Sequence, residues 1–331
     1  MKVVIIGHGD MLANLIEGVL KSGAEIVGVM RYERTKIPSF LLLLRDFFKS
    51  SCDYTLIKEK KLHEIKLRSA NTKEFKKELL KLNADILIVG TWPEKLKKDI
   101  INTPVIASVN VHPSFLPKYR GPNPYLQSIL HREKTSGITF HLMNEKLDCG
   151  AILEQKEIPI LPNDTSKELK IRTVYEARKI CSELISKLGD GLVIPVSQNE
   201  VEASYYPNIK PADMMLDFEK EFAEEIDARI RAFHPWLPCY VSCKNKFIIP
   251  NPYKLKIYDK EYTKKILEKN GIKSAPIGSI INVHIKSRTI IVMCKEGKSL
   301  KMVGVNLYGF FNKPFTKIFL RTIMQNLKID V

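Results

Sequence analysis

Residues 105–121 read Val105-Ile-Ala-Ser-Val-Asn110-Val-His112-Pro113-Ser114-Phe-Leu-Pro117-Lys-Tyr-Arg120-Gly121. Apolar residues alternate with small or polar ones through the first seven positions, which predicts a β-strand. Asn110 and His112 are two residues apart, so both side chains point to the same face of that strand. Pro113 and Pro117 interrupt regular structure, so the strand must end in a rigid loop. Polar side chains at a strand end are typical of an active site.

A second polar segment follows in Gly137-Ile-Thr139-Phe-His141-Leu-Met143 and Leu147-Asp148-Cys-Gly150. Gly150 allows another backbone or a ligand to approach closely. Together, an amide, an imidazole and a carboxylate suit acyl transfer. Asn110 and a protonated His112 can donate to a developing oxyanion, and Asp148 can hold the imidazole in its charged form or accept a proton from an attacking amine. The alternative is a buried structural histidine beside a turn aspartate.

The first half of the chain alternates strand and helix patterns, which predicts a Rossmann-like α/β fold with a parallel sheet. Gly7-His8-Gly9 ends the first strand, but Leu12 stands where a dinucleotide fingerprint needs its third glycine, so NAD binding is not expected. A helix over 212–233 is predicted to lead into short alternating segments typical of a small β-barrel. Further helices are predicted over 10–22, 72–82, 93–101, 124–131 and 166–188, with capping signals at Thr72 and at 164–168.

Charge is unevenly distributed along the 331 residues, whose total is +16. Residues 231–331 contain 19 Lys and Arg against 5 Asp and Glu, whereas the preceding 230 residues are nearly balanced. A basic C-terminal domain favours binding to a polyanion such as RNA. A lysine-rich composition with solvated side chains is the alternative, and the scattered tyrosines do not by themselves indicate base stacking.

The six cysteines contain no Cys-x-x-Cys pair, so neither a zinc site nor any other metal site is expected. Free thiols, 44% hydrophobic residues and the absence of a signal-peptide pattern predict a cytoplasmic globular protein without a membrane anchor. The apolar run at 40–44 is too short to span a bilayer. The sequence predicts no oligomeric state.

The segments 110–121 and 137–150 resemble the signature of the folate-dependent formyltransferases, and the resemblance runs from residue 1 to about 190. It implies an enzyme that transfers a formyl group from 10-formyltetrahydrofolate to an amine, with Asn110, His112 and Asp148 as the catalytic residues. It also implies the folate contacts Ile88, Val89, Gly90, Trp92, Ser114, Phe115, Leu116, Pro117 and Leu142.

The stretch Asp227-Ala-Arg229-Ile-Arg231-Ala-Phe233-His-Pro-Trp236 resembles the junction to the OB-like β-barrel domain of methionyl-tRNA formyltransferases. This resemblance implies a catalytic domain over 1–190, a linker over 191–210 and a basic OB-like domain over 211–331. The partner would be initiator methionyl-tRNA, with Arg34, Lys36, Arg120 and Arg231 as substrate contacts.

Two other functions remain open at this point. The tRNA-acting members carry a glycine- and basic-rich insertion after the second strand, whereas residues 31–38 here keep basic residues but no glycine. An N-formyltransferase for a nucleotide-linked amino sugar or another small amine is therefore the first alternative. A non-enzymatic RNA-binding protein is the second, although all three proposed catalytic residues are present.

Overall fold

The computed structural model describes residues 1–32, 53–243 and 246–308. Its contacts divide the chain into two compact units. The first unit comprises residues 1–124, 135–159 and 169–207. The second comprises residues 125–134, 160–168 and the chain from residue 208 onward.

The first unit contains one six-stranded sheet whose strands alternate with helices. In chain order the elements of residues 2–189 are β1 (Lys2–Gly7), α1 (Gly9–Ser22), β2 (Glu25–Arg31), α2 (Asp53–Glu59), α3 (Lys73–Lys81), β3 (Ile86–Gly90), α4 (Lys98–Ile101), β4 (Ala107–His112), α5 (Pro124–Leu130), β5 (Thr135–Leu142), β6 (Ile152–Pro159) and α6 (Ser166–Gly189). Of these, α5 after its first residue and the first three residues of α6 belong to the second unit. The strand order is β2-β1-β3-β4-β5-β6. The predicted α/β class is confirmed.

The sheet is mixed rather than wholly parallel, which corrects one part of the prediction. Strands β2, β1, β3 and β4 are parallel, but β5 runs antiparallel to β4 and β6 runs antiparallel to β5. The sequence of β6 mixes charged and apolar residues, as suits an edge strand, and gave no strong strand signal. Its pairing with β5 places the 143–151 connection beside the end of β4, where Asn110 and His112 lie.

Apolar side chains cover both faces of this sheet. On one face Val4, Val89 and Phe75 belong to a buried cluster that α3 completes. On the other face Ile88 and Phe140 lie against α6. The predicted cap of α3 is confirmed, because Thr72 Oγ1 accepts the N–H of Phe75 at 3.1 Å.

Antiparallel sheets form most of the second unit. After α7 (Ala223–Phe233), its elements are β7 (Val241–Cys243), β8 (Lys246–Ile249), β9 (Leu255–Tyr258), α8 (Lys260–Lys269), β10 (Ile280–His284), β11 (Thr289–Met293), β12 (Ser299–Met302) and β13 (Asn306–Tyr308). One sheet has the order β10-β11-β12-β9 and the other β13-β8-β7. The sequence predicted a small OB-like β-barrel here, and the structure confirms a separate region of antiparallel sheet.

Two helices are shorter than the sequence predicted. The helix predicted over 212–233 is a 3-10 turn at Pro211–Met214 followed by α7. Asp217 accepts the N–H groups of Glu219 and Lys220, and this local turn competes with a continuous helix. Of the helix predicted over 93–101, only Lys98–Ile101 forms.

Candidate active site

Asn110, His112 and Asp148 meet at the carboxyl end of β4. Asn110 Nδ2 lies 3.3 Å from Asp148 Oδ1, and His112 Nδ1 lies 3.5 Å from the same oxygen. The two-residue spacing on β4 places the amide and the imidazole on one face, and the β5–β6 connection brings the carboxylate to them. The structure thus brings together all three residues of the predicted catalytic set.

Both ring nitrogens of His112 face an oxygen atom. Nε2 donates to the carbonyl of Tyr119 at 2.9 Å, which leaves Nδ1 directed at Asp148. In the protonated ring both N–H groups have an acceptor, and one of these acceptors is a carboxylate. His112 is 5% exposed, so the ion pair is shielded from bulk water. The geometry suits an imidazolium that is held by Asp148.

His141 is a fourth polar member of this cluster that the sequence analysis did not assign a role. It is the cross-strand partner of Asn110, whose Nδ2 lies 3.1 Å from His141 Nε2. His141 Nδ1 donates to the carbonyl of Leu142 at 2.9 Å, so Nε2 is the acceptor for the Asn110 amide. Burial lowers the pKa of His141 to about 4, and the charge of His112 adds to this effect. The ring is therefore neutral near pH 7.

The backbone around Asp148 is tightly constrained. Asp148 has φ 55°, in the left-handed region, and its Oδ2 accepts the N–H of Gly121 at 3.0 Å. A Cβ on Gly150 would lie 1.6 Å from the carbonyl oxygen of Leu142, so no other residue fits there. These contacts fix the direction in which the carboxylate points.

The loop after β4 is held by a side chain from β5. Thr139 Oγ1 donates to the carbonyl of Ser114 at 2.7 Å and accepts the N–H of Leu116 at 3.2 Å. Gln155 on β6 donates to the Leu116 carbonyl at 3.1 Å. Thr139 and His141 are two residues apart on β5, and this alternation was the available sequence signal for both.

The residues predicted to contact folate differ in how far they are exposed to solvent. Ile88 and Val89 are buried core residues on opposite faces of β3, so a contact of these two residues with folate would have to come through their backbone, and it stays a prediction. Gly90, Ser114, Leu116 and Pro117 are also buried. Phe115 is exposed, and Trp92 and Leu142 are half-buried, so these three side chains can still be reached by a flat apolar ligand.

Arg120 and Arg231 both bond to the protein itself, and their role as substrate contacts stays a prediction. Arg120 forms a two-pronged ion pair with Glu200 at 2.9 and 2.8 Å, and Glu200 raises the pKa of its guanidinium. Arg231 donates to Asp227 and to the carbonyl of Asp164, both at 2.8 Å. Arg34 and Lys36 lie outside the described residues.

The basic C-terminal region presents many lysines at the surface of its described part. Tyr258 and Tyr262 stack with their ring centroids 4.3 Å apart, and Lys256 lies over the Tyr258 ring. Exposed positions in this region include the lysines 254, 256, 260, 264, 265, 269, 273 and 286. An exposed tyrosine stack among lysines resembles the surfaces on which nucleic-acid bases stack.

Two kinds of site are absent from the part of the chain that the structure covers. It contains no group of three or more His, Cys, Asp or Glu side chains placed to hold a metal ion. Within residues 1–32, 53–243 and 246–308, no helix combines the length and apolar character that crossing a membrane requires.

Comparison with known families matches both parts of the chain. Residues 1–185 match the model of the formyl transferase family, and residues 208–309 match that of the formyl transferase C-terminal domain. The methionyl-tRNA formyltransferase of Thermotoga neapolitana is 31% identical over 240 residues, which cover 70% of this chain and 72% of that protein. The methionyl-tRNA formyltransferase of Caldanaerobacter subterraneus is 34% identical over 240 residues, or 72% of each chain.

A solved structure also shares the fold. The N-formyltransferase from Helicobacter canadensis, in complex with folinic acid and dTDP-3-aminofucose, superposes with a TM-score of 0.65. It covers 92% of this chain and 99% of its own, at 19% sequence identity. At that identity the similarity concerns the fold alone.

Proposed function

The chain belongs to the formyl transferase family, and on this premise we propose that it transfers a formyl group from 10-formyltetrahydrofolate to the α-amine of methionyl-tRNA. The observation that carries the proposal is the similarity to methionyl-tRNA formyltransferases over about 70% of both chains. The match of residues 208–309 to the family's C-terminal domain and the excess of basic residues after residue 230 add to it.

The cluster at the end of β4 supplies the groups that this reaction needs. The acceptor amine attacks the formyl carbon, and the bond from that carbon to the donor nitrogen then breaks as this nitrogen takes up a proton from His112, which is reprotonated from Asp148. Asp148 accepts the proton that the amine loses, directly or through a water molecule. Asn110 and protonated His112 stabilise the negative charge that develops on the formyl oxygen. None of these steps requires a covalent bond to the protein.

The hydrogen bonds within the cluster indicate how it engages a substrate. The amide N–H groups of Asn110 face His141 and Asp148, and both His112 nitrogens face protein oxygens. A formyl oxygen must therefore replace one of these acceptors. Of the two contacts made by the Asn110 amide, the one to Asp148 at 3.3 Å is longer than the one to His141 at 3.1 Å, so it is the less costly of the two to exchange.

Exposed apolar groups near the cluster fit the flat ring system of a folate. Phe115 lies in the loop that Thr139 anchors, and Leu142 is adjacent to His141. A pterin ring can stack on such side chains and take its remaining hydrogen bonds from nearby backbone groups. This placement supports the folate as formyl donor.

The charge of the second unit supports a tRNA acceptor. Exposed lysines there can neutralise phosphates, and each neutralised phosphate adds to the salt dependence of binding. The stacked Tyr258 and Tyr262 offer an additional sequence-independent contact. A small acceptor such as an amino sugar has no use for most of these charges.

A nucleotide-linked amino sugar is the second candidate acceptor. The shared fold with the Helicobacter canadensis N-formyltransferase, which extends over nearly the whole of both chains, favours it. The chemistry at Asn110, His112 and Asp148 would be the same. Only the acceptor distinguishes the two proposals.

One assay separates the two acceptors. Purified full-length protein is supplied with 10-formyltetrahydrofolate and either charged initiator tRNA or a dTDP-linked amino sugar. We expect formylation of methionyl-tRNA, with kcat/KM falling steeply as the salt concentration rises. Turnover of the amino sugar without turnover of methionyl-tRNA would contradict the proposal.

Matched lysine variants test the role of the basic region. Replacement of Lys254, Lys256 and Lys260 by Gln should raise KM for tRNA and reduce its salt dependence, while KM for the folate stays constant. The control replaces Lys73, Lys77 and Lys81 of α3, which are exposed and carry the same total charge. If both triple variants change KM for tRNA equally, a specific role of the basic region is ruled out.

A further inference from the structure

Residues 196–206, here named the strap, run alongside the catalytic loop within the first unit. The backbones of Val196 and Ile152 exchange two hydrogen bonds at the start of β6. Further along, the N–H of Arg120 donates to the carbonyl of Ser204 at 2.9 Å, and the N–H of Tyr206 donates to the carbonyl of Arg120 at 3.0 Å. The strap is therefore bonded at both ends to segments that flank Asp148.

Gln198 connects the middle of the strap to Asp148. Its Nε2 donates to the carbonyls of Asp148 and Gly150 at 2.9 and 2.8 Å. Its Oε1 accepts two hydrogen bonds from the guanidinium of Arg120, at 3.2 and 2.7 Å. With the amide reversed, an NH₂ group would face the guanidinium and an oxygen would face two carbonyls, so the network permits one orientation only.

Asp148 needs such support because its backbone is in the left-handed region, at φ 55°. An aspartate tolerates this conformation but does not prefer it. Gln198 bonds to the carbonyls of Asp148 and Gly150, while the N–H of Gly121 bonds to the carboxylate itself. The contacts fix both the peptide groups and the side chain, and the carboxylate is then aligned with His112 and Asn110.

Glu200 is a second residue of the strap that contacts Arg120. It pairs with Arg120, whose side chain is only 8% exposed although Glu200 itself is largely exposed. The guanidinium is thus held between Glu200 and Gln198, and it fixes the amide of Gln198 toward Asp148. Arg120 lies one residue before Gly121, so its side chain connects the loop after β4 to the strap.

We propose that Gln198 is a positioning residue for formyl transfer, which acts by fixing the backbone of Asp148 so that the carboxylate faces His112 and Asn110. The inference rests on the proposed role of Asp148 but not on the identity of the acceptor. A strap that only stabilises the fold would contribute equally to the ground state and the transition state. A positioning role instead changes kcat, because a carboxylate displaced by about 1 Å loses its alignment with the reacting amine.

The kinetic test replaces Gln198 by Met, which has the same length and no N–H donor. We expect kcat to fall about 10²-fold and KM for both substrates to change less than about threefold. Gln198→Glu is the second variant, since it keeps an oxygen for Arg120 yet cannot donate to the carbonyls, and we expect a similar loss. Glu202→Gln is the matched control, because Glu202 bonds to Asn199 and not to Arg120, and its kcat should be unchanged.

A spectroscopic measurement makes the test independent of the acceptor. Histidines are labelled with ¹³C at Cε1 in the full-length protein, and the His112 signal is assigned by its loss in His112→Gln. In both Gln198 variants this signal should shift toward its position in Asp148→Asn, whereas Glu202→Gln should match the wild type. If methionyl-tRNA is not formylated, the acceptor proposal fails and the His112 signal still decides the role of Gln198.

Two outcomes overturn the inference. The first is kcat within about threefold of the wild type in both Gln198 variants. The second is an unchanged His112 signal together with a lowered melting temperature, which is the behaviour of a residue that only stabilises the fold.

Discussion

The end of β4 and the basic C-terminal region differ in what their polar side chains bond to. Around Asp148, the predicted residues Asn110 and His112 contact the same carboxylate oxygen, and His141 lies 3.9 Å from it. In the C-terminal region the predicted contact Arg231 bonds to its own helix and to a neighbouring carbonyl. Convergence on a single atom indicates a reaction centre, whereas a surplus of charge does not reveal which cations are available to a partner.

Loss of the Asp148 carboxylate should have the largest effect. Asp148→Asn keeps the shape of the side chain but removes the negative charge that, in the proposed mechanism, faces His112 and accepts the amine proton. We expect kcat to fall about 10²- to 10³-fold, the typical cost of losing one preorganised electrostatic group. Steady-state formylation assays with saturating 10-formyltetrahydrofolate measure this change.

Glu145→Gln provides the control for that variant. It removes one carboxylate from the same β5–β6 connection, where Glu145 pairs only with Lys98 at the surface. Its kcat should stay within about twofold of the wild type, since exposed ion pairs contribute little. Equal losses of kcat in the two variants would mean that Asp148 acts only through its contribution to the electrostatic potential around the β5–β6 connection.

The backbone near Asp148 should also tolerate little change. Gly150→Ala places a Cβ 1.6 Å from the Leu142 carbonyl oxygen, so the β5–β6 connection must move. We expect a loss of about 3 kcal/mol or more in the free energy of unfolding, at the upper end for overpacking. Urea unfolding followed by circular dichroism measures it.

Gly189→Ala is the matched variant of a second glycine. Gly189 ends α6, and an added Cβ would meet nothing closer than 3.7 Å. The substitution should be neutral or slightly stabilising, because alanine favours helix more than glycine does. Similar unfolding midpoints for both variants would show that the β5–β6 connection can accommodate a Cβ at residue 150 with little loss of stability.

The sequence predicted the fold class because its strongest signals are local. Continuous apolar strands and a capped helix such as α3 follow from residues that are near one another in the chain. The antiparallel direction of β5 and β6 could not be predicted, since it depends on pairing between distant segments. The interruption of the helix predicted over 212–233 was missed because a side-chain turn at Asp217 outweighed helix propensity.

The same distinction between local sequence signals and contacts of distant segments applies to the candidate site. Asn110 and His112 share a strand, so their spacing was sufficient to place them together. Gln198 lies 50 residues from Asp148, in a segment that the sequence assigned to a linker, and no periodic pattern marks it. The motif gives the position of Arg120 in the loop, but its bonds to Glu200 and Gln198 could not be predicted because those partners are about 80 residues away in the chain.

Arg231 offers a test of the C-terminal half of the comparison. Arg231→Met leaves Asp227 and the Asp164 carbonyl without their donor, so we expect the free energy of unfolding to fall by about 2 kcal/mol. Lys264→Met removes the same charge from an exposed pair and should leave stability unchanged. If Arg231→Met instead raises KM for tRNA without loss of stability, this arginine is a substrate contact after all.

The smallest effect concerns the neutral ring of His141. Burial lowers its pKa to about 4 from the usual 6.5, so between these values the unfolded chain binds a proton that the folded protein does not. The contribution of His141 to stability is complete above about pH 6.5 and is lost as the pH falls toward 4. Between pH 7.5 and 5.5 the wild type should lose about 1.4 kcal/mol more than His141→Gln, which cannot titrate. Urea unfolding of both proteins at the two pH values measures this difference, and identical pH dependence would mean that folding does not lower the pKa of His141.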